Sequence, residues 1–138
     1  MILTSATFSG NSAYEDGGAI YHVGGNMTLT NATFIGNTGV DGGAIYHNGG
    51  DMTLTSAAFF ENTASAYTTI RSAATYANGG AIYHNGGDMT LTSANFSGNK
   101  AIASGYLYAY YASAIARGGA ICHNGGNMTL TSVKSPLL

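Results

Sequence analysis

Four near-copies of one stretch constrain this chain more than any other feature in it. The third reads Gly79-Gly80-Ala81-Ile82-Tyr83-His84-Asn85-Gly86-Gly87-Asp88-Met89-Thr90-Leu91-Thr92, and the others begin at Gly17, Gly42 and Gly118. Successive starts lie 25, 37 and 39 residues apart, which gives a basic unit and two copies with inserts. Met1-Ile2-Leu3-Thr4 and the next three Met-Thr-Leu-Thr segments each lead to a phenylalanine followed three residues later by an asparagine. These pairs are Phe8 with Asn11, Phe34 with Asn37, Phe59 with Asn62 and Phe96 with Asn99. A period of this size marks a stacked array, because one such unit cannot bury its apolar face alone.

A helix does not suit the repeat. Glycine pairs stand on both sides of Ala-Ile-Tyr-His, and the segments between them are short, alternating or β-branched. Read as strands, Met27 and Leu29 fall on one face while Thr28 and Thr30 fall on the other. Ile20 points inward and Tyr21 outward by the same rule, and Ala32 and Phe34 resume the inward set after a corner near Thr30-Asn31. Three short strands per unit, each unit lying on the next, describe an all-β parallel β-helix of about four to five rungs of roughly 25 residues. The whole of 1–138 forms one such domain.

Stacking turns the repeat into columns. Ile20, Ile45, Ile82 and Ile121 make one internal column, Leu29, Leu54, Leu91 and Leu130 a second, and Phe8, Phe34, Phe59 and Phe96 a third. Each side chain rests on its own copy at about 4.8 Å, the spacing of paired strands. Burying one such side chain stabilises by roughly 1.5–3 kcal/mol, so a dozen of them offset the ordering of a small array. Asn11, Asn37, Asn62 and Asn99 stack at a corner, where their amides can bond along the column and to turn backbone.

The inserts span 63–78 and 100–117 and leave the coil at the same corner on adjacent rungs, so they are expected to pack on each other as a lateral protrusion. They carry Tyr67 and Tyr76 in the first, and Tyr106, Tyr108, Tyr110 and Tyr111 in the second. Aromatic side chains are favoured in interface cores, which makes this protrusion a candidate contact surface as well as a cover for the solenoid's flank.

Composition removes several classes of function. Four Lys plus Arg and a net charge of −2 give no electrostatic handle on nucleic acid, and no apolar run is long enough to insert in a membrane. Only 7% of residues are charged, so solubility rests on Thr, Ser, Asn and Gly or on attached sugars. Cys122 stands alone and can form no internal disulfide.

No catalytic centre is legible. Glu15, Asp16, Asp41 and Glu61 fall in turns or links, not in a groove with a partner base. His22, His47, His84 and His123 form a linear ladder, whereas a metal needs ligands converging from several directions. Asp51 and Asp88 share a column with Asn26 and Asn127. Two carboxylates fall short of the six or more oxygens that calcium takes, and the Gly-Gly-x-Gly-x-Asp calcium repeat is absent. No cofactor or metal is therefore expected. Asn26, Asn31, Asn95 and Asn127 begin Asn-x-Thr/Ser sequons and are candidate glycosylation sites.

The Gly-Gly-Ala-Ile and Phe-x-x-Asn elements together resemble the repeats of polymorphic outer-membrane autotransporter adhesins and related right-handed β-helix surface proteins. The resemblance covers nearly the whole chain. It implies a right-handed coil, display outside the cell and binding to host or neighbouring surfaces, with a glycan or other surface partner.

The expectation is thus a non-enzymatic structural or adhesive protein, extracellular or on a cell surface. Met1-Ile2-Leu3-Thr4 and Met128-Thr129-Leu130-Thr131 occupy the same phase, and open solenoid ends template further pairing, so head-to-tail stacking into a fibre is expected. A fragment of a longer adhesin is the alternative. A second alternative is ice binding by the outward threonines, Thr28 and Thr30, Thr53 and Thr55, Thr90 and Thr92, Thr129 and Thr131.

Overall fold

The computed structural model describes residues 1–69, 74–105 and 113–135. The first turn holds strands β1 (Ile2–Thr4), β2 (Thr7–Ser9) and β3 (Ile20–Val23). In the second are β4 (Met27–Thr30), β5 (Thr33–Ile35), β6 (Thr38–Gly39) and β7 (Ile45–Asn48). The third comprises β8 (Met52–Thr55), β9 (Ala58–Phe60), β10 (Thr63–Thr68), β11 (Ala74–Asn78) and β12 (Ile82–Asn85). The fourth repeats it with β13 (Met89–Thr92), β14 (Asn95–Ser97), β15 (Lys100–Gly105), β16 (Ser113–Arg117) and β17 (Ile121–Asn124), and β18 (Met128–Thr131) begins the next. All pairings are parallel and join a strand to its copy one turn away, so the chain is an all-β parallel solenoid.

Register follows the repeat without a slip. Met27, Met52, Met89 and Met128 pair in sequence, as do Leu29, Leu54, Leu91 and Leu130. Phe8, Phe34, Phe59 and Phe96 stack with ring centroids 5.0, 4.8 and 4.9 Å apart. The inner members of these columns are fully buried. Leu130, which has a neighbouring rung on one side only, is 53% exposed, and Phe8 and Ile121 are half-buried for the same reason.

The glycine pairs are a geometric necessity. Gly42 has φ +65, and a Cβ on Gly43 would overlap the carbonyl oxygen of Gly80 in the next rung. Gly80 stands in the same relation to Gly119, so the backbones at this corner pack where only hydrogen fits. The next corner is turned by Ser5, Asn31, Ser56, Ser93 and Ser132, all with φ between 52 and 54.

The two inserts pair with each other strand for strand. β10 pairs along its length with β15, and β11 with β16, while β6 continues the first of these ladders. Ala64, Ala66 and Ala77 are buried between them with Val40, Ala101 and Ala103 packed alongside, a second small core built almost entirely of alanine.

Candidate functional surfaces

Stacking places every polar column on a definite face. Inside the coil, the imidazoles of His22, His47, His84 and His123 stack at 4.9, 4.8 and 4.9 Å. His47 and His84 are fully buried, and burial pushes the pKa of each below its ordinary value. Nε2 of His47 donates to the carbonyl of Gly25 and Nε2 of His84 to that of Gly50, both at 3.1 Å, one rung back. A carbonyl only accepts, so both neutral rings carry their proton on Nε2 and leave Nδ1 bare. Nδ1 of His84 lies 2.9 Å from Nδ1 of His123, whereas Nδ1 of His22 and of His47 have no partner. Among the described residues no three His, Cys, Asp or Glu side chains converge to hold a metal ion.

The asparagine column is the most completely bonded element. Asn37 and Asn62 are fully buried, and each amide bridges two rungs. Nδ2 of Asn62 donates to Oδ1 of Asn99 at 2.9 Å and to the carbonyl of Phe34 at 3.1 Å.

Two acidic columns are organised differently. Asp51 takes the Asp88 N–H at 2.9 Å, Asp88 takes that of Asn127 at 2.8 Å, and Asn26 takes that of Asp51 at 3.0 Å. These side chains fasten the turn after the second glycine pair. The residues just before each Gly-Gly-Ala-Ile form the other column, which the sequence reading did not identify: Asp16, Asp41, Asn78 and Arg117. The N–H of Asp41 donates to Oδ1 of Asp16 at 3.1 Å, and Asn78 gives Oδ1 of Asp41 both its N–H and its Nδ2, at 2.8 and 3.0 Å. Burial holds the carboxyls of Asp16 and Asp41 above their usual range. A fixed offset before the glycine pair was the signal for this column.

Outside the His ladder runs a tyrosine ladder. Tyr21, Tyr46 and Tyr83 stack at 4.9 and 5.2 Å, and Cys122 takes the fourth place. Burial raises the pKa of the Cys122 thiol, which leaves it a poor nucleophile. Beside it Asn48, Asn85 and Asn124 join amide to amide at 3.0 and 3.1 Å.

In the first insert Tyr67 is 65% and Tyr76 43% exposed, and the Arg117 guanidinium lies over the Tyr76 ring at 5.5 Å. Tyr106, Tyr108, Tyr110 and Tyr111 lie outside the described residues. Of the sequon asparagines, Asn26, Asn31 and Asn127 are exposed and Asn95 is half-buried in β14. A cavity of about 360 Å³ opens over Phe96 and Ala120, bordered by Ser97, Asn99, Lys100 and Ser135. No histidine or carboxylate lines it.

With this geometry in place, the comparisons with known proteins fall on the repeat itself. Residues 5–22 and 31–48 each match the model of the Chlamydia polymorphic membrane protein repeat. Each match runs from the corner before Phe-x-x-Asn through Gly-Gly-Ala-Ile to the histidine or just beyond. The third and fourth copies contain both elements, held apart by the inserts. The two matched segments are therefore similar to autotransporter-type repeats of a surface-associated family. No curated protein and no solved structure matched the chain.

Proposed function

We propose that this chain is a non-catalytic solenoid displayed outside the cell as a structural and adhesive element, and that copies of it stack end to end into a fibre. Repeats of a surface-associated family support the display. The absence of catalysis is supported by the columns, which separate acids from histidines and use their polar atoms to tie rung to rung. Stacking is carried by one observation: β1 and β18, the two edge strands of one five-stranded sheet, occupy the same phase of the repeat and each pairs on one side only.

In a head-to-tail stack β1 of one copy would pair with β18 of another, so that Leu3 continues the Leu130 column. The contact is heterologous and does not close, so it propagates. Electron microscopy of the purified chain tests it. Filaments are expected, and Leu130→Lys, which places a charge in the column that must continue across the contact, should suppress them. Single particles at high concentration would rule stacking out.

The exposed Tyr67 and Tyr76 favour a second reading, that of an adhesin passenger segment whose protrusion makes the contact. Labelled chain should then bind cells or immobilised glycans saturably, and Tyr67→Ala with Tyr76→Ala should remove that binding without dissolving filaments.

A further inference from the structure

We infer that the threonine face of the sheet β1-β4-β8-β13-β18 binds the surface of ice. The face carries two outward columns, Thr28, Thr53, Thr90 and Thr129 in one, Thr30, Thr55, Thr92 and Thr131 in the other, each residue in register with its copy. Thr4 continues the second column over Thr30. Strand pairing sets about 4.8 Å between neighbours along a column, and two residues of rise set about 6.6 Å between columns. That is a nearly rectangular mesh of methyl and hydroxyl groups whose two spacings are of the same size as the oxygen repeats of ice faces, without equalling them.

Ordinary strand preference does not account for it. Outward columns elsewhere drift from rung to rung: Thr33 gives way to Ala58 and Asn95, Ile35 to Phe60 and Ser97, and Tyr83 to Cys122. On this face neither threonine column changes in four rungs. The hydroxyls are also unused. All the threonines of the three inner rungs are half-exposed, and among the described residues the array donates or accepts no side-chain hydrogen bond to protein. Beneath them Met27, Met52 and Met89 and Leu29, Leu54 and Leu91 are wholly buried, so the mesh is backed by a close-packed wall.

The kind of occupant follows from what the face lacks. It is a lattice without a pocket, and its two columns contain no charge and no aromatic ring; the carboxylates of Asp51 and Asp88 stand only at its border. A small soluble ligand would touch a fraction of it. A crystalline polysaccharide would call for aromatic platforms, which lie on other faces of this coil. Only an extended planar partner with its own repeat meets every threonine at once, and water ordered as ice presents acceptors, donors and methyl-sized hollows at a comparable spacing.

The inference stands apart from end-to-end stacking: filaments that ignore ice would remove it alone, and ice-binding single particles would remove the fibre alone. The full chain is tested by thermal hysteresis and by partition into slowly growing ice. The parent should give hysteresis and enter the ice. Thr53→Tyr with Thr90→Tyr should lose both properties, while Ser97→Phe on the neighbouring face keeps them. Thr53→Ser with Thr90→Ser, which retains the hydroxyls and removes methyls, should reduce hysteresis with an unchanged circular dichroism spectrum. A parent excluded from ice, face variants as active as the parent, or retention on crystalline cellulose in place of ice would each overturn it.

Discussion

Asn37 donates both its backbone N–H and its side-chain Nδ2 to one atom, Oδ1 of Asn62, at 3.0 and 2.9 Å. Replacing Asn62 by alanine therefore strands two buried donors of the rung before it and removes the bond to the Phe34 carbonyl. Asn62→Ala should cost about 3 kcal/mol, since each orphaned buried donor costs roughly 1–3 kcal/mol. Urea denaturation checks it, and a change under about 1 kcal/mol would mean the column is decorative.

Glu61 occupies a place that is glycine in the other rungs. Its φ is +55, alongside +65, +60 and +65 for Gly10, Gly36 and Gly98. A side chain in this conformation costs about 1–2 kcal/mol, partly offset by the extra chain entropy that glycine loses on folding. Glu61→Gly should therefore stabilise by about 0.5–1 kcal/mol, read as a rise in Tm.

Gly80 and Gly24 separate two glycine roles. At Gly24 φ is +76 with open space where a methyl would sit, so Gly24→Ala should cost only about 1–2 kcal/mol of backbone strain. At Gly80 the added Cβ meets the Gly119 carbonyl oxygen, backbone that cannot rotate away. Gly80→Ala should abolish the cooperative thermal transition that Gly24→Ala retains.

The histidine ladder predicts acid sensitivity. His47 and His84 have folded pKa values lowered from 6.5 by burial, so the unfolded chain takes up protons first as pH falls. Their contribution to stability is complete above about 6.5 and declines below it, until the folded rings titrate in turn. Asp16 and Asp41, raised from 3.8, act in the opposite sense, and only from about that value upward to their folded pKa values. Denaturation midpoints should fall between pH 7.5 and pH 5.5 for the parent, and His47→Leu with His84→Leu should flatten that slope.

Much of this molecule was legible because each inward residue recurs at the same phase. Ile45 over Ile20 and Phe59 over Phe34 follow from spacing alone once the array is recognised. The inserts were harder to read. Their strands alternate Ala64, Ala66 and Ala101, Ala103 with polar residues, and alanine gives too faint a contrast to announce a core. Nor could spacing show that Asn31 and its serine counterparts turn a corner at positive φ, a role usually signalled by glycine. The Asp16 to Arg117 column keeps a constant offset before the glycine pair, but its members, two aspartates, an asparagine and an arginine, share no single identity that would announce it.

The alanine-lined inserts have a consequence for assembly of the chain itself. Gly42 to Thr55 and Gly79 to Thr92 are identical in sequence, so a collapsing chain meets interchangeable templates and could leave out a turn with little energetic warning. Among the described residues β10 finds a full-length mate only in β15, and β11 only in β16. These side arms act as a key cut for one lock, distinguishing the correct neighbour where the central coil is blind to it.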